Sequence, residues 1–148
     1  DPKAELLCLG LGSCIAICAY DPVVSVGAIV HVVLPAAPRG EAIPPGKYAC
    51  TAVPLLCHEL RSVGARLERV KIALCGGAAI FPPLSGLMDI GQRNLTAVRE
   101  KLKEARLTVV KEDVGGRESR TVMMSVSNGI VRVRTVRLGE CPLVDLRR

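Results

Sequence analysis

The chain has 148 residues and a formal charge of +6, and apolar residues make up 49% of it against 23% charged residues. This length and balance are typical of one folded domain and exclude a disordered chain, so we predict a single domain over residues 1–148. The basic charge suits an acidic partner, which could be nucleic acid, an anionic membrane or an acidic protein. With two Tyr, one Phe and no Trp, the stacking platforms that bind single-stranded nucleic acid are nearly absent, which disfavours the first of these partners.

The first third of the sequence predicts a strand followed by a β-hairpin. Residues 4–9 are predicted as a strand and 10–13 as a glycine-rich turn. Two apolar runs, 14–20 and 27–34, flank an Asp-Pro turn and are predicted to pair with each other. Residues 35–46 are rich in Pro and Gly, which indicates a loop.

The remainder predicts two helices among further strands. One helix is expected over 49–63, ending at Gly64, and it tolerates Pro54 only in its first turn. The other is expected over 94–105 with Asn94 as its N-cap. The remaining strands are predicted at 70–75, 107–113, 120–127 and 130–138, the last two joined by an Asn-Gly turn. This composition of elements indicates a mixed α/β domain.

Seven cysteines are many for this length. They are Cys8, Cys14, Cys18, Cys50, Cys57, Cys75 and Cys141. Their number is odd and no C-x-x-C pair occurs, so we predict neither a disulfide framework nor a metal site, and no cofactor. The sequence contains no signal peptide and no apolar run of membrane-spanning length, so we expect a cytoplasmic protein without membrane insertion.

One cysteine is distinguished by its position relative to a histidine. A hairpin register that pairs Tyr20 with Gly27 is allowed by the turn. It places Ala16 opposite His31, whereas a register shorter by two residues places Cys14 there. In both registers Cys14 and His31 share one face, with Cβ atoms roughly 5–8 Å apart. This spacing suits a thiol nucleophile and its base, and the glycine turn leaves backbone N–H groups near Cys14 for an oxyanion.

The pairing alone leaves other interpretations open. A histidine in an apolar strand is also typical of a packed core residue, and a cysteine and a histidine share a strand pair by chance in many proteins. The other histidine, His58, lies beside Cys57 on a predicted helix and is expected to face solvent.

The order of several short motifs resembles the CheD family of chemoreceptor glutamine deamidases. The resemblance runs from about Leu7 to Arg134. Its motifs are Leu9-Gly10-Leu11-Gly12-Ser13-Cys14, Tyr20-Asp21-Pro22, Gly27, His31, Leu34-Pro35, Gly46-Lys47-Tyr48-Ala49, Gly76-Gly77-Ala78, Phe81, Ile90-Gly91, Arg93-Asn94, Glu112-Asp113-Val114-Gly115-Gly116 and Arg120-Thr121-Val122.

This resemblance implies a fold, an activity and partners. The fold is a layered sandwich of mixed β-sheet flanked by helices, as in other cysteine deamidases that include a bacterial toxin domain. The activity is hydrolysis of glutamine side chains on the cytoplasmic domain of methyl-accepting chemotaxis receptors. By this resemblance, Cys14 is the nucleophile that forms a thioester. His31 protonates the leaving ammonia and then activates water. A second partner implied by the family is the phosphatase CheC.

The sequence departs from the family pattern at the third catalytic position. The family has a threonine six residues before its cysteine, where this chain has Cys8, a weaker hydrogen-bond partner. Ser13 is a candidate substitute donor, although a turn residue there has an ordinary structural role. Candidates for binding the substrate are Lys47, Tyr48, Arg93 and Arg39, and ordinary surface positions remain the alternative for the charged ones.

Two further function classes stay open at this point. The Cys8 substitution favours a CheD-like binding module that regulates a CheC-type phosphatase without catalysis. Another thiol hydrolase, such as a protease, lacks its usual sequence context here.

Overall fold

The computed structural model describes residues 1, 3–38, 44–81 and 89–148. Within these residues, the strands and α-helices are β1 (Glu5–Leu11), β2 (Ile15–Asp21), β3 (Val26–Val32), α1 (Ala49–Ser62), β4 (Lys71–Gly76), α2 (Ile90–Glu104), β5 (Thr108–Val114), β6 (Arg120–Ser125), β7 (Ile130–Thr135) and β8 (Gly139–Asp145). Short 3-10 turns occur at Pro45–Lys47 and Leu67–Arg69. None of the described helices has both the length and the apolar character needed to cross a bilayer.

The strands form two sheets. One is antiparallel with the order β1-β6-β7-β8, and the other is mixed with the order β3-β2-β4-β5, because β4 and β5 run parallel. One apolar core lies between the two sheets, and a second lies between the mixed sheet and the helices α1 and α2. The predicted α/β layered sandwich of mixed sheet flanked by helices is therefore confirmed.

Strand β2 is buried on both faces, since it lies at the centre of these layers. Ile15 and Ile17 pack toward the helices, whereas Ala16, Cys18 and Tyr20 pack toward the antiparallel sheet. The alternation follows from the two-residue period of a strand. Every side chain on one face of β2 therefore points into the space between the sheets.

The predicted β2–β3 hairpin is confirmed in the first of its two registers. Tyr20 pairs with Gly27, and Ala16 pairs with His31. Glycine suits this register because a Cβ at position 27 would lie 3.2 Å from the ring of Tyr20 and 2.8 Å from Met124. The register puts Cys14, just ahead of β2, on the same face as His31.

Helix α2 begins upstream of its predicted start, and the prediction of Asn94 as its N-cap was wrong. Asp89 is the N-cap, and its carboxylate accepts a hydrogen bond of 2.9 Å from the N–H of Gln92. Asn94 is fully buried inside the helix. Both residue types are good N-caps, so the local sequence favoured the wrong one.

Two smaller predictions also differ from the structure. Pro54 lies in the second turn of α1 and on its exposed side, beyond the first turn to which the sequence rule confined it. Strand β8 was not predicted because Gly139 and Pro142 interrupt its pattern. As an edge strand of its sheet, β8 tolerates a proline that donates no hydrogen bond. Gly64, with φ of +91°, follows α1 as predicted.

Candidate active site

An open groove of about 430 Å³ lies between the edge strands of the two sheets. Strand β1 forms the edge of the antiparallel sheet and β3 the edge of the mixed sheet. The groove is lined by Leu6, Leu7, Cys8, Leu9, Ile29 and His31. An imidazole is thus presented to solvent within a mostly apolar wall.

Cys14 lies in the short loop that joins β1 to β2, and its thiol lies near that of Cys8, which lines the groove. Its side chain is half-buried and packs against the core between the sheets. His31 pairs with Ala16, two residues after Cys14, so Cys14 and His31 are diagonal neighbours on one face. Cβ atoms of diagonal neighbours in an antiparallel pair lie roughly 7–8 Å apart.

Backbone and side-chain donors hold the carbonyl groups of this loop from the protein interior. The N–H of Ala78 donates to the carbonyl of Gly12 at 2.9 Å, and the N–H of Gly77 donates to that of Cys14 at 2.8 Å. Between them, Nδ2 of Asn94 donates to the carbonyl of Ser13 at 3.0 Å. The loop of residues 12–14, which carries the candidate nucleophile and is called the nucleophile loop below, is therefore fixed at each of its residues.

A glycine at position 76 makes this arrangement possible. Its φ is +110°, and a Cβ there would lie 2.1 Å from the carbonyl oxygen of Cys14. Both the backbone angle and the contact exclude other residues. The Gly76-Gly77 pair at the end of β4 is thus a close backbone support for the loop.

The thiol of Cys14 and the imidazole of His31 are both uncharged at neutral pH. Burial raises the pKa of Cys14 above its ordinary value, although its own backbone N–H opposes the rise. Burial against the groove wall lowers the pKa of His31 below 6.5, even though the residue as a whole is exposed. This state suits an imidazole that removes the thiol proton during attack rather than a preformed ion pair.

Comparison of the sequence with known proteins places the chain in a family. The profile described as CheD chemotactic sensory transduction matches residues 33–135. Over 135 residues the chain is 44% identical to the chemoreceptor glutamine deamidase CheD of Thermotoga maritima. The aligned region covers 91% of this chain and 84% of that protein. The chain belongs to the CheD family. The probable chemoreceptor glutamine deamidase CheD of Clostridium botulinum strain Hall is 40% identical over 138 residues, covering 91% of this chain and 85% of that protein.

The motif resemblance to the CheD family is thereby confirmed. The profile match begins two residues after His31. The assignment of Cys14 and His31 as a catalytic pair therefore rests on their position in the fold and on the motif around Cys14.

Cys8, which the motif resemblance aligns with the family's threonine, is a packed thiol in β1. It is 5% exposed and lies opposite Val122. Burial and then the neighbouring Cys14 raise its pKa to about 11, so it stays protonated. Within the described residues, the imidazole of His31 forms no hydrogen bond with Cys8, Cys14 or Ser13.

The other predicted site residues are placed around the loop and the end of β3. Ser13 is half-buried, and its carbonyl is held by Asn94. Lys47 is exposed, and its carbonyl accepts hydrogen bonds from the two residues that follow β3. Arg93 is exposed on α2 next to Asn94.

Tyr48 differs from the other candidates because it is buried, with 3% of its surface exposed. It immediately precedes α1, and the ammonium of Lys47 lies 5.5 Å from the centre of its ring. Its role in substrate binding stays a prediction, as do those of Lys47 and Arg93. The fourth candidate, Arg39, lies outside the described residues.

Sequence reasoning missed the contact between Asn94 and the nucleophile loop. The signal was present in the family motif Ile90-Gly91 with Arg93-Asn94, but it was interpreted locally as a helix start. A contact between residues 81 positions apart in the chain cannot be predicted from the local pattern of either segment.

Proposed function

We propose that this CheD-family chain is an enzyme that hydrolyses glutamine side chains on the cytoplasmic domain of chemotaxis receptors, with Cys14 as nucleophile and His31 as base. The observation that carries the proposal is a half-buried thiol and an exposed imidazole on one face of a strand pair, beside an open groove. Both relatives described above bear the name chemoreceptor glutamine deamidase. The chain acts in the cytoplasm and needs no cofactor, because a thiol and an imidazole suffice for amide hydrolysis.

The first half of the reaction forms a thioester. The sulfur of Cys14 attacks the carboxamide carbon of the glutamine while His31 accepts the thiol proton. The C–N bond then breaks, and the imidazolium of His31 gives that proton to the departing ammonia. A neutral imidazole is required at the start, which agrees with the lowered pKa of His31.

The second half of the reaction hydrolyses the thioester. Water attacks the acyl carbon while His31 accepts one of its protons. The C–S bond breaks, the glutamyl carboxylate is released, and the sulfur of Cys14 regains the proton from His31. Ammonia and glutamate are the products, and the enzyme returns to its starting state.

The groove and the surface charge suit a receptor substrate. Leu7 and Leu9 on the groove wall are 53% and 63% exposed, which offers apolar contact to a helix that presents a glutamine. The net charge of +6 favours encounter with an acidic helical bundle. Lys47 and Arg93 are the exposed cations that we assign to this contact.

A second candidate is a binding module that regulates a CheC-type phosphatase without catalysis. It is favoured by one observation: within the described part of the chain, no hydrogen bond orients the imidazole of His31, and the family's threonine position holds the buried thiol of Cys8. Catalytic hydrogen bonds often form only when substrate binds, so this geometry does not outweigh the paired thiol and imidazole.

The experiment compares deamidation of a purified receptor cytoplasmic fragment by the wild type and by Cys14→Ala. Mass spectrometry follows each glutamine as it becomes glutamate, and ammonia is measured in the same samples. A matched control is Cys141→Ala, since this thiol is exposed on β8, away from the groove.

We expect conversion by the wild type and by Cys141→Ala, and none by Cys14→Ala. Receptor and CheC binding are measured on the same three proteins. If the wild type binds a partner but converts no glutamine, the binding module replaces the enzyme. If Cys14→Ala converts glutamines as fast as the wild type, another residue is the nucleophile.

A further inference from the structure

We propose that Asn94 is a positioning residue that ties the nucleophile loop to the end of the His31 strand and turns the N–H groups of Ser13 and Cys14 toward the groove as oxyanion donors. This inference rests on the proposed acyl transfer at Cys14. It gives a role to a fully buried polar side chain that the mechanism above does not use.

The amide of Asn94 joins the two segments that carry the reacting groups. Its Nδ2 donates to the carbonyl of Ser13 at 3.0 Å and to the carbonyl of Val33 at 2.9 Å. Ser13 directly precedes Cys14, and Val33 lies two residues after His31. One NH₂ group thus sets the separation between the nucleophile and the base.

The same contact fixes the direction of the loop's N–H groups. In a trans peptide the C=O and N–H point to opposite sides of the chain. The carbonyls of Gly12 and Ser13 are bound on the buried side by Ala78 and Asn94. The N–H groups of the same two peptides, those of Ser13 and Cys14, therefore point away from these buried partners.

Within the described residues, neither of these N–H groups donates to a backbone carbonyl or to the side chain of another residue. The N–H of Cys14 lies near its own thiol, where it opposes the rise in the thiol pKa. Two adjacent N–H groups that no other residue binds, beside a nucleophilic sulfur, are suited to stabilise the oxyanion of a tetrahedral intermediate.

An asparagine is suited to this position by its chemistry. Its NH₂ has two donors without a charge, and both are used here. Its Oδ1 is buried without a partner in the described part of the molecule, and an unpaired buried acceptor is unfavourable. The donor contacts thus determine how this amide is oriented. Aspartate has nearly the same shape but would turn an acceptor toward two carbonyl oxygens.

The close approach of α2 to the loop supports this role. A Cβ on Gly91 would lie 2.6 Å from the carbonyl oxygen of Gly77, whose own N–H holds Cys14. The first turn of α2 is therefore packed directly on the backbone that supports the nucleophile loop, and Asn94 follows one turn later.

The test measures turnover of a receptor fragment by Asn94→Asp and Asn94→Ala, with Leu102→Ala as the control. Leu102 is a buried residue of the same helix that belongs to the core against the mixed sheet. We expect both Asn94 variants to lose about 100-fold in kcat with KM changed less than about threefold, as when an oxyanion donor is lost. Leu102→Ala should lower the melting temperature but retain kcat.

A second measurement separates positioning from general loss of structure. A glutamine-peptide analogue with an aldehyde in place of the side-chain amide adds the Cys14 thiol reversibly: the C–S bond forms and the thiol proton ends on the aldehyde oxygen. That oxygen uses the oxyanion donors, whereas alkylation of Cys14 by iodoacetamide does not. The Asn94 variants should bind the aldehyde at least about tenfold more weakly while their alkylation rates stay within about threefold of wild type.

The outcomes distinguish the positioning role of Asn94 from the proposed deamidation of receptor glutamines. Asn94 variants that retain kcat and aldehyde affinity would overturn the positioning role, as would a Leu102→Ala variant with the same losses. If the wild type captures the aldehyde but does not convert receptor glutamines, the proposed substrate is overturned. The aldehyde affinities of the Asn94 variants then still test the positioning role. A wild type that does neither would overturn both.

Discussion

Burial shifts the pKa values of Cys14 and His31 in opposite directions, and both shifts favour the uncharged form. An uncharged pair must transfer its proton as the sulfur attacks, so the base has to be neutral when substrate arrives. In the proposed mechanism, backbone N–H groups of the loop around Cys14 stabilise the oxyanion. At the scale of residues, the proposed reaction therefore depends on the protonation state of His31 and on glycines such as Gly76 that allow the backbone to approach Cys14 closely.

The fall of kcat/KM at acidic pH, called the acid limb below, should reflect protonation of His31. Since burial lowers its pKa below 6.5, kcat/KM should be constant at neutral pH and fall only as the pH drops through that lowered value. The measurement is kcat/KM on a receptor fragment between about pH 5 and 8. His58→Gln, which removes the other histidine, should keep the same limb. A limb centred above 6.5, or one that disappears in His58→Gln, would contradict the role of His31.

Gly76→Ala should disrupt the nucleophile loop. Its new Cβ would clash with the carbonyl oxygen of Cys14 at 2.1 Å, so we expect loss of activity together with loss of stability. Gly64→Ala is the matched control, because Gly64 also has positive φ but has open space around it. Both should lose roughly 1–2 kcal/mol for the backbone angle, measured by urea unfolding. Equal activity in the two variants would contradict the support role of Gly76.

At the scale of elements, the hairpin that carries the site was predictable from the sequence and the position of α2 was not. The β2–β3 pairing follows from local rules, because two apolar runs flank a turn. Two registers remained open from the sequence, and the structure adopts the one in which Gly27 pairs with Tyr20. The start of α2 depends on a choice between two good caps, Asp89 and Asn94. In the structure Asp89 caps the helix, and Asn94 lies inside it, where its amide contacts Ser13 of a distant segment.

The end of β2 is held by a buried carboxylate that should make stability depend on pH. Asp21 is fully buried and accepts hydrogen bonds from the N–H groups of Val23 and Arg66 and from the Arg69 guanidinium. Burial alone would raise its pKa, but Arg69 and these N–H groups more than offset that effect and lower it below 3.8. The folded state therefore binds this proton less tightly than the unfolded state.

The sign of the effect follows from that difference. The contribution of Asp21 should be fully present above about pH 3.8 and be lost as the pH falls through the lower folded value. Urea unfolding at a series of acidic pH values measures it. Asp21→Asn should be less stable at neutral pH and show a weaker loss in acid. An acid dependence equal to that of the wild type would contradict the assignment.

At the scale of the whole molecule, the site is a product of how the two sheets stack. Strands β1 and β3 are edges of different sheets, and their meeting forms the groove that contains His31. The sequence indicated a mixed α/β domain, and the motif resemblance implied its layers. The order of strands within each sheet depends on pairings between distant segments such as β1 and β6, which local patterns do not contain.

The net charge makes a prediction at this scale. A chain with a formal charge of +6 should bind an acidic receptor fragment more weakly as salt screens their attraction, so KM should rise with ionic strength while kcat stays constant. A short uncharged glutamine peptide is the control substrate, and its KM should change little. A salt-independent KM for the receptor fragment would contradict a role for surface charge in encounter.

We predict that the carboxamide carbon of a receptor glutamine becomes bonded to the sulfur of Cys14 during the reaction, and trapping with hydroxylamine tests for this bond. Hydroxylamine intercepts a thioester and leaves a hydroxamate, which mass spectrometry distinguishes from glutamate by its mass at the same residue. We predict that the wild type with hydroxylamine converts receptor glutamines partly to hydroxamate and that Cys14→Ala forms neither product. Glutamate formation by Cys14→Ala, or by a wild type that yields no hydroxamate at any hydroxylamine concentration, would contradict the account.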